Sequence, residues 1–408
     1  MRLWRNTASY GQPRAQKDIG MTQSIFAFST ANEIRFGRGA ALKAVPDMAA
    51  LARQVMLVTG ANTARADWLR VALEAQGCAV TLFAVEREPD VAMIEAGVAC
   101  ARTAQAGAVI ALGGGAAVDA GKAIAALVPA TGPMLDHLEV VGKGLPLAAP
   151  PLPFVAIPTT AGTGAEVTRN AVIAVPEARR KVSLRDPKML PKIAIVDPAL
   201  TDNCPRAVTL ASGLDAITQV IEPYLCTRAN LLTDALCRDA IPKGLAALAR
   251  LMEGGTEEQA RAARDDMAWV SLCGGLALAN SGLGVIHGLA GPLGGLSTAA
   301  HGAICGALLP HGLALNAAQS DAADLALTAR FDEIRHWIAQ ALGGEASQAF
   351  ARLAEWSRAQ GLLGLDALGI DAEARASAAE AAATSSSMKA NPAQLTVAHL
   401  TQMMEQAR

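Results

Sequence analysis

The stretch AVIALGGGAAVDAGK, residues 108–122, decides how the first half of the chain is read. Ala108–Ala111 is apolar throughout and reads as a strand covered on both faces. Gly113, Gly114 and Gly115 follow, and from Ala116 through Asp119 to Lys122 the pattern reads as a helix. Glycines between a strand and a helix let the backbone approach a phosphate. The helix start then offers it unpaired N–H groups and a partial positive charge. The spacing is not GxGxxG, so the usual dinucleotide fingerprint is absent, and the triplet alone reads equally well as a tight turn.

Strand and helix patterns alternate on both sides of this stretch. Upstream, Ile34–Phe36 reads as a strand, Ala40–Arg53 as a helix, Gln54–Thr59 as a buried strand ending in Gly60-Ala61-Asn62, and Ala66–Ala75 as a helix. Ala79–Phe83 (strand) and Val91–Gln105 (helix) complete that side. Downstream, a strand over Phe154–Ile157 ends at Pro158 and enters the polar loop Thr159-Thr160-Ala161-Gly162-Thr163-Gly164. Val172–Val175 and Val182–Leu184 read as a hairpin with Lys181 beside it, and Lys192–Val196 as a last strand. Short-period alternation of this kind specifies a parallel, doubly wound sheet. From about Thr209 strands disappear and alanine- and leucine-rich helices run to the end. The expected fold is therefore an α/β nucleotide-binding domain over residues 23–206 and an all-α domain over residues 207–408. Residues 1–22, basic and polar, read as a disordered tail or start-site extension and are left out of the fold.

Composition narrows the class. Of 408 residues 52% are hydrophobic, enough for two large cores, while 35 Lys+Arg nearly balance 37 Asp+Glu. No basic face points to nucleic acid and no charge run to a membrane surface. The seven cysteines are scattered without a CxxC, which argues for a reducing, cytoplasmic compartment, with most of them acting as small buried hydrophobes.

The chemistry-bearing residues lie in the second half. The segment Leu278–Pro310 is dense in glycine and carries His287 and His301, two of only six histidines. Imidazole in an apolar setting needs a hydrogen-bond partner or a metal. Asp215, Gln219 and Glu222 fall on one face of the preceding helical segment. Asp215 with His287 and His301 makes an O,N,N set suited to Zn²⁺ or Fe²⁺ with a position open for a substrate oxygen; the alternative is an Asp that bridges helices and two satisfied core histidines. His311 reads as structural, and His137, His336 and His399 as surface or helix residues. Glu166, in the loop after Gly164, reads equally as facing the cleft or the surface.

Taken in order, GGG-AA-VD, IPTTAGTGAEVT, IVDP, GLDAITQ and HGLAGPLGG…AAHG resemble the iron-containing, or group III, alcohol dehydrogenases. Met388-Lys389-Ala390-Asn391-Pro392 resembles that family's C-terminal pattern, so the likeness covers the chain from Phe26 onward. The resemblance implies an NAD(P)-dependent oxidoreductase that moves a hydride between nicotinamide and an alcohol, aldehyde or ketone at a divalent metal, with both in the cleft between domains. It implies that Gly113, Gly114, Gly115 and Ala116 hold the pyrophosphate, and that Thr159, Thr160, Thr163, Thr168 and Lys181 line the rest of the cofactor. It implies Asp215, His287 and His301 as the catalytic metal ligands, with Gln219 near them, and a homodimer.

The chain departs from that family pattern at three places. Gln219 and Gly291 stand where many members carry histidine, and Ala116 replaces a serine. An amide oxygen is a poor ligand for Fe²⁺. The glycerol dehydrogenase branch is expected to manage with one Asp and two His, and the maleylacetate reductase branch without metal, on an unsaturated or 2-oxo acid. A dehydroquinate synthase-like lyase shares the architecture but needs basic substrate pockets that these helices lack. Gly60, at the end of an early strand, leaves no acid to repel a 2′-phosphate, while Asn62, Thr63 and Arg65 offer donors; NADP(H), or both cofactors, is the expectation.

Overall fold

The computed structural model describes residues 25–383 and 385–408; the reading of residues 1–22 lies outside them. Among the described residues of the first half eight strands form: β1 (Glu33–Phe36), β2 (Gln54–Gly60), β3 (Ala79–Val85), β4 (Ala108–Gly113), β5 (Phe154–Pro158), β6 (Asn170–Val175), β7 (Arg180–Arg185) and β8 (Ile193–Val196). Six make one sheet in the order β1-β8-β5-β4-β2-β3, and every pairing in it is parallel. β6 and β7 form a separate antiparallel hairpin. The helices between them are α1 (Ala40–Lys43), α2 (Val45–Ala49), α3 (Asp67–Ala75), α4 (Val91–Thr103) and α5 (Gly115–Leu127).

The near-continuous apolar strands have the burial they require. In β2, Met56 and Val58 enter the core shared with α4 and α5, while Val55 and Leu57 enter the opposite core, shared with α1, α2 and α3. The period of two thus feeds a covered layer on each face. The expected single helix over Ala40–Arg53 is instead two short ones, because Pro46 lies in the first turn of α2, where its missing N–H and fixed φ suit a new start.

The second half is helical: α6 (Arg206–Leu225), α7 (Leu231–Glu253), α8 (Glu257–Asn280), α9 (Val285–Leu296), α10 (His301–Gln319), α11 (Leu325–Leu342), α12 (Ala349–Ala359), α13 (Ala372–Ala383) and α14 (Val397–Gln406). They share one core built around α6. Two close backbone approaches set the site. At Gly302, in the first turn of α10, an added Cβ would lie 2.4 Å from the Ala211 carbonyl oxygen of α6. At Gly275 on α8 it would lie 2.3 Å from the carbonyl oxygen of Gly164, whose φ of 58° puts it in the left-handed region. The first contact draws α10 onto α6; the second seats the Thr159–Gly164 loop on the helical half. Among the described residues no single helix is long and apolar enough to cross a membrane. The pair α8 and α9 passes by length and composition only when taken together, across a 96° bend.

Candidate active site

The sheet reverses its winding beside β2: the chain goes from β2 to β3 on one side and then to β4 on the other. Ligands of open α/β sheets bind at such a point, outside the carboxyl ends of the strands. Gly60 ends β2 and Gly113 ends β4 there, so close that a Cβ on Gly113 would lie 3.3 Å from the Gly60 nitrogen. The Thr159 amide donates to the Gly113 carbonyl at 2.9 Å, which carries the polar loop onto the same edge. Gly114 is the N-cap of α5, extended and without a side-chain cap, so the first turn of α5 faces this edge with its amides uncapped. A Cβ at Gly114 would meet Thr160 at 3.5 Å, ordinary contact, and one at Gly115 would crowd Thr163 at 2.8 Å. Gly114→Val should therefore fold normally while filling the space between α5 and Thr160; we expect the cofactor dissociation constant to rise about 100-fold, read by titrating nucleotide fluorescence. Unchanged affinity would refute this placement.

Beneath the loop lies Lys122, which is 1% exposed. Its ammonium donates to the Ala165 carbonyl (2.6 Å), the Thr168 hydroxyl (2.8 Å) and the Asn170 carbonyl (2.8 Å). Burial lowers its pKa to about 8, against the pull of Asp119 and Glu166. The Thr168 hydroxyl in turn donates to Ala165. Thr168 thus faces inward and holds the loop in place, which departs from its expected contact with the cofactor. Glu166 is not a surface residue either: it is 2% exposed, and burial raises its pKa to about 7. Lys181, on β7, reaches toward Glu88 (3.6 Å) and the face of α9 at Gly294.

In the helical half, Asp215 of α6, His287 of α9, and His301 and Cys305 of α10 each offer one ligand atom, all four within 4.8 Å of one another. Asp215 Oδ1 lies 3.5 Å from His287 Nε2 and 3.8 Å from His301 Nε2, too far for hydrogen bonds. That oxygen is buried and has no hydrogen-bond partner. A buried carboxylate oxygen facing two imidazole nitrogens without touching them is what a divalent cation requires, so the residues fit a metal. The His301 side chain is 32% exposed and is the cluster's side toward solvent.

Glu222, two turns along α6 from Asp215, orients His287. Its carboxylate accepts from the Ile286 amide at 2.7 Å and binds His287 Nδ1 at 2.6 Å. That contact fixes the proton on Nδ1 and leaves the Nε2 lone pair facing the cluster. Asn391, from the closing motif, accepts from the Val285 amide at 2.9 Å and so ties down the same helix start. Burial opposes charge on His287, but Cys305, Asp215 and Glu222 together hold its pKa well above the usual imidazole value. Burial likewise opposes charge on His301, which Cys305 and Asp215 nonetheless raise to about 9. A bound cation would reverse both preferences, since it needs the rings neutral.

Gln219, expected near the metal but contributing little, lies one turn from Asp215 on α6. Its side-chain nitrogen donates to the Gly162 carbonyl at 2.8 Å, linking α6 to the Thr159–Gly164 loop and bringing cluster and loop together. Sequence reasoning missed Glu222's partner and Cys305's place. The signal for both was helical spacing: Glu222 shares the Asp215 face, and Cys305 lies four residues after His301. His311 follows on α10, where burial and Arg358 lower its pKa. His137 binds the Leu145 carbonyl, and His336 and His399 lie on α11 and α14, as read.

A parallel sheet with a glycine-lined switch point is thus joined to a helical half whose buried Asp/His/His cluster could hold a metal ion. Two sequence families match: "Iron-containing alcohol dehydrogenase" over residues 31–198 and "Fe-containing alcohol dehydrogenase family, C-terminal" over residues 209–408. The chain belongs to the iron-containing alcohol dehydrogenase family of oxidoreductases. It is 36% identical over 280 residues to long-chain-alcohol dehydrogenase 1 of Geobacillus thermodenitrificans, covering 67% of this chain and 69% of that one. It is 35% identical to alcohol dehydrogenase 4 of Schizosaccharomyces pombe over 246 residues, 60% of this chain and 57% of the relative's length. The crystal structure of a 1,3-propanediol oxidoreductase superposes with a TM-score of 0.84 at 28% identity, covering 94% of this chain and all of that one.

Proposed function

We propose that the protein is an NAD(P)-dependent alcohol dehydrogenase or aldehyde reductase with a divalent metal at Asp215, His287 and His301. The observation that carries this is the buried, unpartnered Asp215 Oδ1 facing both Nε2 atoms. The relatives' names, for long-chain alcohols and propanediol, support a small or aliphatic alcohol–aldehyde pair as substrate. When bound, the metal supplies Lewis acidity to the substrate oxygen and the nicotinamide accepts or donates hydride. The chain's own residues do the rest. Glu222 keeps His287 in the tautomer that presents Nε2. Gly113–Gly115, Ala116 and the hydroxyls of Thr159, Thr160 and Thr163 receive the phosphates and sugar, with Lys181 at the far side. Gly291 places no side chain on α9 one turn beyond His287, so a proton relay at the substrate oxygen is absent or runs through water or another side chain.

The donor cluster favours this reading over a metal-free reduction of an oxo acid. Purified protein should contain about one metal per chain, and EDTA should abolish aldehyde-dependent NAD(P)H oxidation, with Zn²⁺ or Fe²⁺ restoring it. Full activity in metal-free protein would sink the proposal. We further read the enzyme as cytoplasmic and homodimeric, and as using NADPH at least as well as NADH. A Cβ at Gly60 meets nothing within 4 Å, so Gly60→Asp fits the fold. The new carboxylate should shift the ratio of kcat/KM toward NADH by about 10-fold or more. A strong wild-type preference for NADH would contradict the cofactor assignment.

A further inference from the structure

We propose that Cys305 Sγ is the fourth protein ligand of the metal, so that the site is an O,N,N,S set and not the three-residue set with a glutamine beside it. The inference rests on the metal-dependent reading above and adds to it a thiolate. Cys305 stands one turn after His301 on α10, so its side chain and the imidazole project from the same face. Sγ lies 3.6 Å from His301 Nε2 and 3.9 Å from His287 Nε2. Four ligands at ordinary zinc distances around a tetrahedral centre are separated by about 3.3 Å for N and O and about 3.5 Å for N and S. The N–O separations here are 3.5 and 3.8 Å and the N–S separations 3.6 and 3.9 Å, somewhat wider than those values, and all four ligand atoms lie within 4.8 Å of one another. The thiol has one proton to donate, so without a metal the second Sγ–nitrogen contact would need an imidazole N–H pointing at sulfur.

Two further observations support the assignment. Asp215 Oδ1 is buried, aimed into the same point, and unpartnered. The Gln219 amide nitrogen is committed to Gly162, which leaves Cys305 as the fourth side chain of the cluster, with the substrate oxygen then entering as a fifth ligand. Charge agrees as well. One carboxylate and one thiolate neutralise a divalent cation where Asp215 is 2% exposed and Cys305 fully buried, which reduces the cost of placing the ion there. Binding deprotonates the thiol, and its proton goes to solvent. Thiolate makes the site softer, favouring Zn²⁺, Co²⁺ and Cd²⁺ over Fe²⁺ and Mn²⁺.

The test is spectroscopic and independent of turnover. The full-length chain, metal-exchanged with Co²⁺, should show a sulfur-to-cobalt charge-transfer band in the near ultraviolet. The band should be absent in Cys305→Ser and retained in Cys273→Ser, a buried cysteine of α8 outside the cluster. The Cd²⁺ dissociation constant should rise about 100-fold in Cys305→Ser, with a much smaller change for Mn²⁺. X-ray absorption at the zinc edge of the wild type needs no variant and should show one sulfur at about 2.3 Å. Stoichiometric metal with no sulfur scatterer and no such band would overturn the ligand assignment and leave the metal-dependent reading standing. A chain that takes up no metal under any condition would overturn both.

Discussion

Replacing His287 with alanine should empty the metal site and reduce kcat/KM on the order of 1000-fold. His287 belongs to α9, whose start is held independently by Asn391 on the Val285 amide and by Glu222 on the Ile286 amide. The helix should therefore remain in place when the imidazole goes, and the loss should be chemical, not structural. Glu222→Gln separates orientation from ligation. Glutamine can still accept from Ile286, but its NH₂ now faces Nδ1. The imidazole proton is then forced onto Nε2, the atom that must ligate. We expect a loss of metal affinity of about 10- to 100-fold with the melting temperature little changed. Metal content by elemental analysis, beside steady-state kinetics, checks both variants. Wild-type metal occupancy and activity in His287→Ala would show that the cluster is not the catalytic centre.

Lys122→Met should be the most destabilising substitution in the α/β half, costing about 3–5 kcal/mol. It strips partners from the Ala165 and Asn170 carbonyls and from Thr168, and it removes the cation that balances buried Glu166 and Asp119. The penalty should depend on pH. Burial raises Glu166 from its ordinary 4.5 to about 7, so between these values the folded chain keeps a proton that the unfolded chain gives up. The stability from that group is present below about 4.5 and is lost as pH rises through about 7. Lys122 offsets this loss while it is charged; without it, an ionised Glu166 is stranded. The cost of the substitution should thus be larger at pH 7, where Glu166 ionises while Lys122 is still charged, than at pH 5, as read by urea unfolding at both. An equal cost at the two values would show that the lost hydrogen bonds alone account for it. Because the same three bonds hold the segment after Thr163, weaker cofactor binding should accompany the instability.

Much of this protein is written in local pattern. Strand and helix alternation to Val196, the hairpin of β6 and β7, and the wholly helical second half follow from periods of two and 3.6 and from which residues break them. The glycine triplet and the Asp215, His287 and His301 set were legible because glycine in a turn, and ionisable groups in apolar helices, are costly enough to need a reason. Pro46 also carried its message locally, though the periodicity of Ala40–Arg53 masked it.

What only the tertiary structure decided are the partners that come from distant segments. Nothing near Glu222 in sequence says that it binds an imidazole 65 residues away. Lys122 read as one more helix residue until the chain 43 residues later folded over it and made it a buried anchor. The sequence leaves Glu166 open between cleft and surface, and assigns Thr168 to the cofactor only by resemblance, because a loop residue's direction is set by what packs against the loop. Here that is α8, drawn close at Gly275. Cys305 looked like one of seven small hydrophobes, and it became a candidate ligand because Gly302 lets α10 touch α6 beside Asp215. Local periodicity determines which face a side chain occupies; only the packing of one backbone on another determines what that face meets.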